Sequence, residues 1–519
     1  MTIKQRWFFA SILVLAALLR FVQLGSVPYG VNQDEADRVY EAYSLIKTGH
    51  DIHGNRWPLT LEAYGTKVDN ASAISVYAAL PFVAFFGPSV TTARIPSAIA
   101  GLLTVLFVIL VGYRLSKRWN VGLLAGLMLA VSPWHLNLSR VGHEAVWTPL
   151  FFLIGLYAFL WAVERKRPLG LIVAACVWAI ALYGYPIAKL FIPLMIVTLG
   201  CAYRKQLWSM GRWVLVAAGC AMLLLIPEIH LILTRFGDAG RLQEISIFTN
   251  GFGPWWEQLL KNFISYINPV GWVTAELTAG SLDWLAALLG LPFFFLLVRR
   301  SGSQVPRWFF ASWLLLAILP AIITDMNSHQ LRSVLLIGPL SIIGAWGILL
   351  AVEPLRQRFS QRIHYALLVI SVIPLSIGPW FFWQPSDSLA EGFLKTHITF
   401  MPEMDNVSRL LQTQFADVPE VWIQDAGLNQ PQIFIMLFQR WDPRTLARDH
   451  EFQENPKGWY RTTRLGRYHV CQYGDCPVEK SNVIFVEFAY HTNLGSKELA
   501  RVPIRSVKRP GLAWVISGN

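Results

Sequence analysis

Val31-Asn32-Gln33-Asp34-Glu35-Ala36-Asp37-Arg38-Val39-Tyr40 follows directly on the first long apolar run of the chain. It carries four ionisable residues within five positions. Adjacent carboxylates such as Asp34 and Glu35 do not share one face of a regular helix. They converge on one small site only if Asp34 lies at a turn or a helix start. The flanks of this stretch are apolar: the 519 residues are 54% hydrophobic and 15% charged, whereas a soluble domain carries about 25% charged residues. Mean hydropathy is +0.43. Apolar runs of about 20 residues recur along the chain, which marks a polytopic α-helical membrane protein.

Net charge is +12, a value that by itself would suit nucleic acid. The positive residues sit in short clusters between apolar runs, so they are topology signals, and no nucleic-acid partner is expected. The start of the chain is basic (Lys4, Arg6) and leads into Trp7–Leu24. That run is too long for a signal-peptide core and no small-residue cleavage site follows, so it reads as an uncleaved first membrane helix. Further candidate spans lie near Thr92–Tyr113, Val121–Trp134, Trp147–Val163, Leu169–Tyr183, Ile187–Tyr203, Trp213–Leu233, Leu282–Val298, Trp308–Thr324, Leu335–Val352 and His364–Phe382, making 11. Ala71–Phe86 is apolar but short and interrupted by Pro81. It reads as a juxtamembrane or re-entrant helix rather than a span.

With that helix non-spanning and the N-terminus cytoplasmic, every cluster of two or three basic residues falls on the inside. These are Lys4/Arg6, Arg114/Lys117/Arg118, Arg165/Lys166/Arg167, Arg204/Lys205/Arg212, Arg299/Arg300/Arg307 and Arg356/Arg358/Arg362. This is the separation that the positive-inside rule predicts. The same count puts the Asp34 loop, the His135–Ala145 loop, Thr234–Ser281 and the tail from Gln384 outside. The expected organisation is a transmembrane module over 1–384, with a first external loop over 25–91, and an extracytoplasmic C-terminal domain over 385–519. Strand-like runs at Val421–Gln424, Ile433–Phe438 and Val483–Phe488 suggest a small mixed α/β domain there. Cys471 and Cys476 lie in that tail without the further ligands a zinc site needs, and form a short-loop disulfide if the tail faces an oxidising compartment.

Ionisable residues near membrane-buried surfaces are costly and point to function. Asp34 and Glu35 suit a general base or a metal; they equally suit a helix start, with Asp34 as cap and the acidic residues favouring the helix dipole. Arg140 and Glu144 stand four apart, the spacing of an intrahelical ion pair, or else Glu144 joins Asp34 in an acidic site. His143 lies between them. Lys67, Arg38 and Arg332 are cations at outer loops or span ends, where a lipid-linked phosphate would need them or where they would snorkel. Arg332 opens a late span within Asn327-Ser-His329-Gln-Leu-Arg332. The chain has no Walker-type glycine loop and no Gly-x-Gly-x-x-Gly, which argues against a nucleotide donor.

Several stretches together resemble the GT-C glycosyltransferases of the protein O-mannosyltransferase and aminoarabinose transferase superfamily. They are Asp34-Glu35-Ala36, Asp51-Ile-His-Gly54-Asn55-Arg56-Trp-Pro58, Lys67, Arg94-Ile-Pro96-Ser97-Ala, and Ser132-Pro133-Trp134-His135 with Ser139-Arg140 and Glu144. The likeness covers roughly residues 7–350 and implies a GT-C-like membrane fold. It further implies a polyprenyl-phosphate-linked monosaccharide as donor and a protein, glycolipid or cell-envelope glycan as acceptor. It carries the base to Asp34, with Glu35 beside it, and phosphate binding to Lys67. Arg38 is one position displaced from the corresponding Arg of the aminoarabinose branch. Glu144 stands where relatives carry an acidic residue, and Arg332 resembles a basic residue before a late span. No cofactor is required, although a divalent cation would find ligands in Asp34 and Glu144. The leaving group is already a phosphate, so the reaction would invert the anomeric carbon without a strong acid. An envelope oligosaccharide polymerase or ligase is the alternative, and a flippase fits less well because the chain shows neither internal repeats nor midplane charges.

Overall fold

The structure is a computed structural model that describes residues 1–62, 70–234, 246–249, 253–267, 290–298, 305–324, 329–358, 400–401, 403–425, 430–454, 460–472, 475–477, 479–488, 497–503 and 513–518. The chain divides into two units. The first comprises Met1–Val22, Ser97–Phe236 and Leu242–Trp383; the second comprises Gln23–Pro96, Gly237–Arg241 and Gln384–Asn519.

The first unit is helical. Its helices include α1 (Ile3–Phe21), most of α4 (Val90–Ser116), α5 (Trp119–Val131), α6 (Pro133–Arg140), α7 (Trp147–Arg165), α8 (Pro168–Ala181), α9 (Ile187–Ala202), α10 (Arg204–Trp208), α11 (Gly211–Thr234), α12 (Trp255–Ile267), α13 (Arg307–Ile322), α14 (His329–Arg332) and α15 (Ile337–Arg358). Among the described residues, four helices are long and apolar enough to cross a membrane: Val90–Ser116, Glu144–Arg165, Gly211–His230 and Val334–Glu353. The α5–α6 pair makes a fifth if the two, bent by 61°, are one span. The run expected as one span at Val121–Trp134 therefore breaks at Ser132-Pro133, because Pro133 supplies no N–H to continue the ladder. Other expected spans form α1 and the shorter apolar helices α8, α9 and α13. His364–Phe382 lies outside the described residues.

Small residues let these helices approach one another. A Cβ on Gly112 of α4 would lie 3.0 Å from the Gly122 Cα of α5, so the pair packs backbone to backbone, as membrane helices do. The basic ends are tied together as well. Arg114 reaches Glu164 at 2.6 Å and Arg118 reaches Glu353 at 2.8 Å, which gathers the ends of α4, α7 and α15.

The second unit joins the segment after α1 to the C-terminal tail. The sequence reading groups residues 25–91 with the membrane module; the contacts group residues 23–96 with 384–519. The reason is a shared core. β1 (Val31–Asn32) pairs antiparallel with β4 (Phe400–Met401). α2 (Gln33–Thr48) packs against α3 (Ala73–Phe86) and against α17 (Gln432–Phe438), and the Tyr40 hydroxyl donates to the Trp441 carbonyl at 2.9 Å. Val39, Tyr40, Val76, Val83, Val407, Leu411, Val421, Ile423, Phe434 and Val486 are buried in this one core. A hairpin of β2 (Leu61–Glu62) and β3 (Asn70–Ala71) precedes α3.

The tail builds α16 (Met404–Thr413) and a seven-stranded sheet of β5 (Glu420–Gln424), β6 (His450–Glu454), β7 (Tyr460–Leu465), β8 (Tyr468–Cys471), β9 (Val483–Phe488), β10 (Lys497–Pro503) and β11 (Ala513–Gly518). The order is β10-β11-β9-β5-β8-β7-β6, and β5 runs parallel to both β8 and β9. The strands expected at Val421–Gln424 and Val483–Phe488 are present. Ile433–Phe438, expected as a strand, is helix α17. Apolar periodicity does not separate a short buried strand from a buried helical turn; Pro431 opens the helix, and Gln432–Leu437 are buried throughout.

Cys471 and Cys476 are bonded to each other. The bridge closes a second small core with Val483, Phe485 and Trp422 on the opposite face of the sheet. A loop this short leaves about 2 kcal/mol of unfolded-state entropy for the bridge to remove. Replacing both cysteines by serine should therefore lower the unfolding free energy of the second unit by about 2 kcal/mol in a urea titration followed by near-UV circular dichroism. An unchanged midpoint would show that the bridge does not hold the sheet.

Candidate active site at the head of α2

Asn32, not Asp34, caps α2. Its backbone is extended, its side-chain oxygen accepts the Asp34 N–H at 2.7 Å, and its own N–H donates to Glu35 Oε2 at 2.8 Å. This reciprocal box satisfies two backbone donors at the helix start. Gly49 ends the helix at φ 75°, a conformation that costs glycine nothing. Asp34 is the second residue of α2 and half-buried. Its N–H is held and its carboxyl stands on the first helical turn, where the helix dipole favours negative charge.

Glu35 is fully buried and faces Arg94 of α4, also fully buried. Arg94 Nε donates to Glu35 Oε1 at 2.7 Å and Nη2 to Oε2 at 3.1 Å. The rest of the guanidinium binds backbone: Nη1 donates to the carbonyls of Leu24 (3.1 Å) and Pro28 (2.8 Å), and Nη2 to that of Gly30 (2.7 Å). These five bonds match the five donors of the fork. One side chain thus holds the 24–30 segment, the head of α2 and the start of α4 together. Sequence reasoning quoted Arg94 without giving it a role. The signal available was an arginine in an apolar helix start that also carries Pro96.

Arg38 and Asp37 form a buried ion pair on α2. One turn further on, Glu41 is also buried. Burial, with the negative charges of Asp37 and then Asp51 adding to it, holds the Glu41 carboxyl well above the usual carboxylate range.

The remaining candidates belong to the helical unit. Arg140 ends α6, and its Nη1 and Nη2 donate to the carbonyls of Leu19 (2.7 Å) and Val22 (2.8 Å), the last turn of α1 and its cap. Because α6 stops at Arg140, Arg140 and Glu144 do not share one helix, and the intrahelical pairing inferred from spacing does not apply. His143 caps the 3-10 turn Glu144–Val146: its Nδ1 accepts the Ala145 N–H at 3.0 Å, and its ring meets Tyr185 edge to face at 5.7 Å. Glu144, partly exposed, opens that turn. Arg20, a residue that sequence reasoning passed over, lies buried against the α5–α6 break. It donates to the carbonyls of Ala130 (3.2 Å) and Leu129 (3.4 Å), and it meets His135 Nδ1 at 2.8 Å. Arg332, buried, closes the short helix α14 that His329 opens. Lys67 lies outside the described residues. Asp34, Glu35 and Arg38 thus share one helix end in the second unit; Arg140, His143, Glu144 and Arg332 are placed in the first. Among the described residues no three His, Cys, Asp or Glu side chains converge as metal ligands would.

Removing one partner of a buried ion pair strands the other charge, at a cost of about 3–5 kcal/mol. Arg94→Ala and Glu35→Ala should each lower the melting temperature of the detergent-solubilised protein sharply. The double variant should lose less than the sum of the two, because neither charge is then stranded. Additive losses would show that the two side chains act independently.

Residues 74–231 match the family model described as dolichyl-phosphate-mannose-protein mannosyltransferase. No curated protein matches the sequence. Among solved structures, ArnT from Cupriavidus metallidurans bound to undecaprenyl phosphate superposes with a TM-score of 0.58 at 12% identity, covering 98% of this chain and 97% of that one. The archaeal oligosaccharyltransferase AglB from Archaeoglobus fulgidus, in complex with an inhibitory peptide and a dolichol-phosphate, gives 0.52 at 13% identity. That match covers 84% of this chain and 60% of the archaeal one, so the chain spans less than two thirds of AglB. At these identities the likeness is one of fold, and the family model matches less than a third of the chain.

Proposed function

We propose that the chain is an integral-membrane glycosyltransferase that moves a monosaccharide from a polyprenyl-phosphate donor to a hydroxyl of an extracytoplasmic protein, glycolipid or envelope glycan. The observation that carries the reading is the head of α2. A carboxylate at the second helical position, Asp34, is held by its cap Asn32, and the turn behind it is clamped by Glu35 and Arg94. Support comes from a fold shared over nearly the whole chain with ArnT, whose structure holds undecaprenyl phosphate.

In the proposed reaction the acceptor oxygen attacks the anomeric carbon from the face opposite the phosphate. The carbon–oxygen bond to the phosphate breaks, its electron pair leaves with the lipid phosphate, and Asp34 takes the acceptor proton. Configuration inverts. Charge grows on the departing phosphate, and cations lower the barrier by meeting it there; Arg38, Lys67 and Arg332 are the residues proposed for that task. Arg38, braced by Asp37, would present a fork already fixed in direction. Glu35, a catalytic candidate by its place in the sequence, is assigned to positioning, since its oxygens are engaged by Arg94 and the Asn32 N–H. Glu144 and His143 are kept as residues of the acceptor side, His329 as a neighbour of Arg332, and Arg140 as a positioning residue for α1. None of these steps requires a metal.

The proposed topology has about 11 spans in the plasma membrane, about 20 residues each where they cross directly. The N-terminus is cytoplasmic and the C-terminal unit extracytoplasmic. The basic clusters support that orientation, as does the Cys471–Cys476 bridge, which persists in an oxidising compartment.

Purified protein incubated with a panel of polyprenyl-phosphate sugars should release polyprenyl phosphate, detected by mass spectrometry. Turnover with nucleotide sugars alone would overturn the donor assignment. Asp34→Asn should lower turnover by about 100-fold or more while leaving the melting temperature in place, as expected on losing a general base. Near-normal turnover would remove Asp34 from the mechanism.

A further inference from the structure

The transfer chemistry leaves one group of buried carboxyls without a task. Asp37 and Glu41 stand four residues apart on α2, hence one above the other on one face, and each is 1% exposed. Asp51, in the turn after α2, is 4% exposed. Its oxygens are well served, accepting from the N–H groups of His53 (3.0 Å) and Asn55 (2.7 Å) and from the Asn55 side-chain amide (2.9 Å). Glu41 is not. Its Oε2 accepts the Ile52 N–H at 3.1 Å, and its Oε1 has no hydrogen-bond partner. The nearby cation, Arg38, is bonded to Asp37.

Among the described residues, the elements packed on α2 bring no further cation to Glu41. α17 carries no titratable residue. α3 brings Tyr77, whose hydroxyl donates to the Pro58 carbonyl. The turn Pro443–Thr445 brings Arg444, which is bonded to Asp442 and exposed. His53 of the 50–57 turn lies towards Glu62, at 3.9 Å. A charged Glu41 would stand beside the carboxylates of Asp37 and Asp51 in a low-dielectric place. A proton removes that charge, and it binds well on Glu41, whose charged form accepts a single backbone N–H.

We propose that Glu41 is a protonated acid whose O–H donates to the Asp37 carboxylate, and that this carboxyl–carboxylate pair is a positioning device holding the Asp37–Arg38 ion pair in place. Any effect on donor phosphate rests on the reading of Arg38 given above; the place of the proton does not. The sign of the pH dependence follows. The folded chain holds this proton more tightly than the unfolded chain does. The associated stability is therefore full below the ordinary glutamate range and is lost as pH rises through the folded value.

Infrared difference spectra of the purified full chain test the proton directly. At neutral pH the wild-type protein should show the carbonyl stretch of a protonated carboxylic acid, shifted in heavy water and absent from Glu41→Gln. In Asp37→Asn, which removes the neighbouring charge, that band should disappear at a lower pH than in the wild type. Absence of a band assignable to Glu41 from the comparison with either variant would overturn the proposal. Positioning is read from undecaprenyl phosphate binding by native mass spectrometry. Wild-type affinity should fall about tenfold as the band titrates away, the loss expected for one charge-assisted contact. Glu41→Gln, whose amide still donates but does not ionise, should keep its affinity across the same range. An identical alkaline loss in Glu41→Gln would overturn the positioning role. A wild-type protein that carries the band but binds no undecaprenyl phosphate at any pH would instead sink the donor reading of Arg38.

Discussion

The arrangement at the head of α2 depends on a single buried ion pair. Glu35 and Arg94 are sixty residues apart less one, both sealed from water, and joined through two hydrogen bonds of 2.7 and 3.1 Å. A buried charge pair of this kind is a poor source of net stability, because desolvation offsets most of the attraction. Its value is geometric. Once both charges are buried, any conformation that separates them is heavily penalised, so the polar fork specifies one arrangement of the 24–30 carbonyls, the Asn32 cap and the first turn of α4. Asp34 inherits its place from that arrangement.

The same device recurs in the helical unit. The apolar path from α5 to α6 breaks at Ser132-Pro133, and a break within an apolar layer exposes carbonyls that have no helical partner. Arg20 supplies donors to two of them, the carbonyls of Leu129 and Ala130, and Arg140 does so for the end of α1. Both buried arginines are thus engaged by backbone carbonyls. An arginine is suited to this work because its planar fork reaches several acceptors at once and remains charged.

Much of the architecture was legible beforehand. Apolar runs marked α1, α4, α7, α11 and α15, because a helix that must satisfy its backbone in lipid writes that requirement into composition. The short α3 was legible from its length and Pro81. The bond between Cys471 and Cys476 was legible from spacing and from the lack of further metal ligands. Less was legible at the site. Asp34 and Glu35 read as neighbouring acids of one site, yet the two differ in burial and partners, because Glu35 is the N3 residue of a capping box and meets Arg94. Glu41 has no role in the sequence reading, since nothing local to its sequence says that it is buried.

The amino-acid sequence by itself determined what each segment is: which runs are apolar enough for a membrane, which ends are basic, where a carboxylate stands at a helix start. These are properties of composition and short spacing, and they survive without knowledge of contacts. Tertiary structure decided what each charged side chain is for. It joined the segment after α1 to the C-terminal sheet through a shared core, turned Ile433–Phe438 into helix, and sorted Asp34 from Glu35. The physical reason is that the cost of a charge depends on desolvation and on partners brought from distant parts of the chain, and neither is written in the residues beside it.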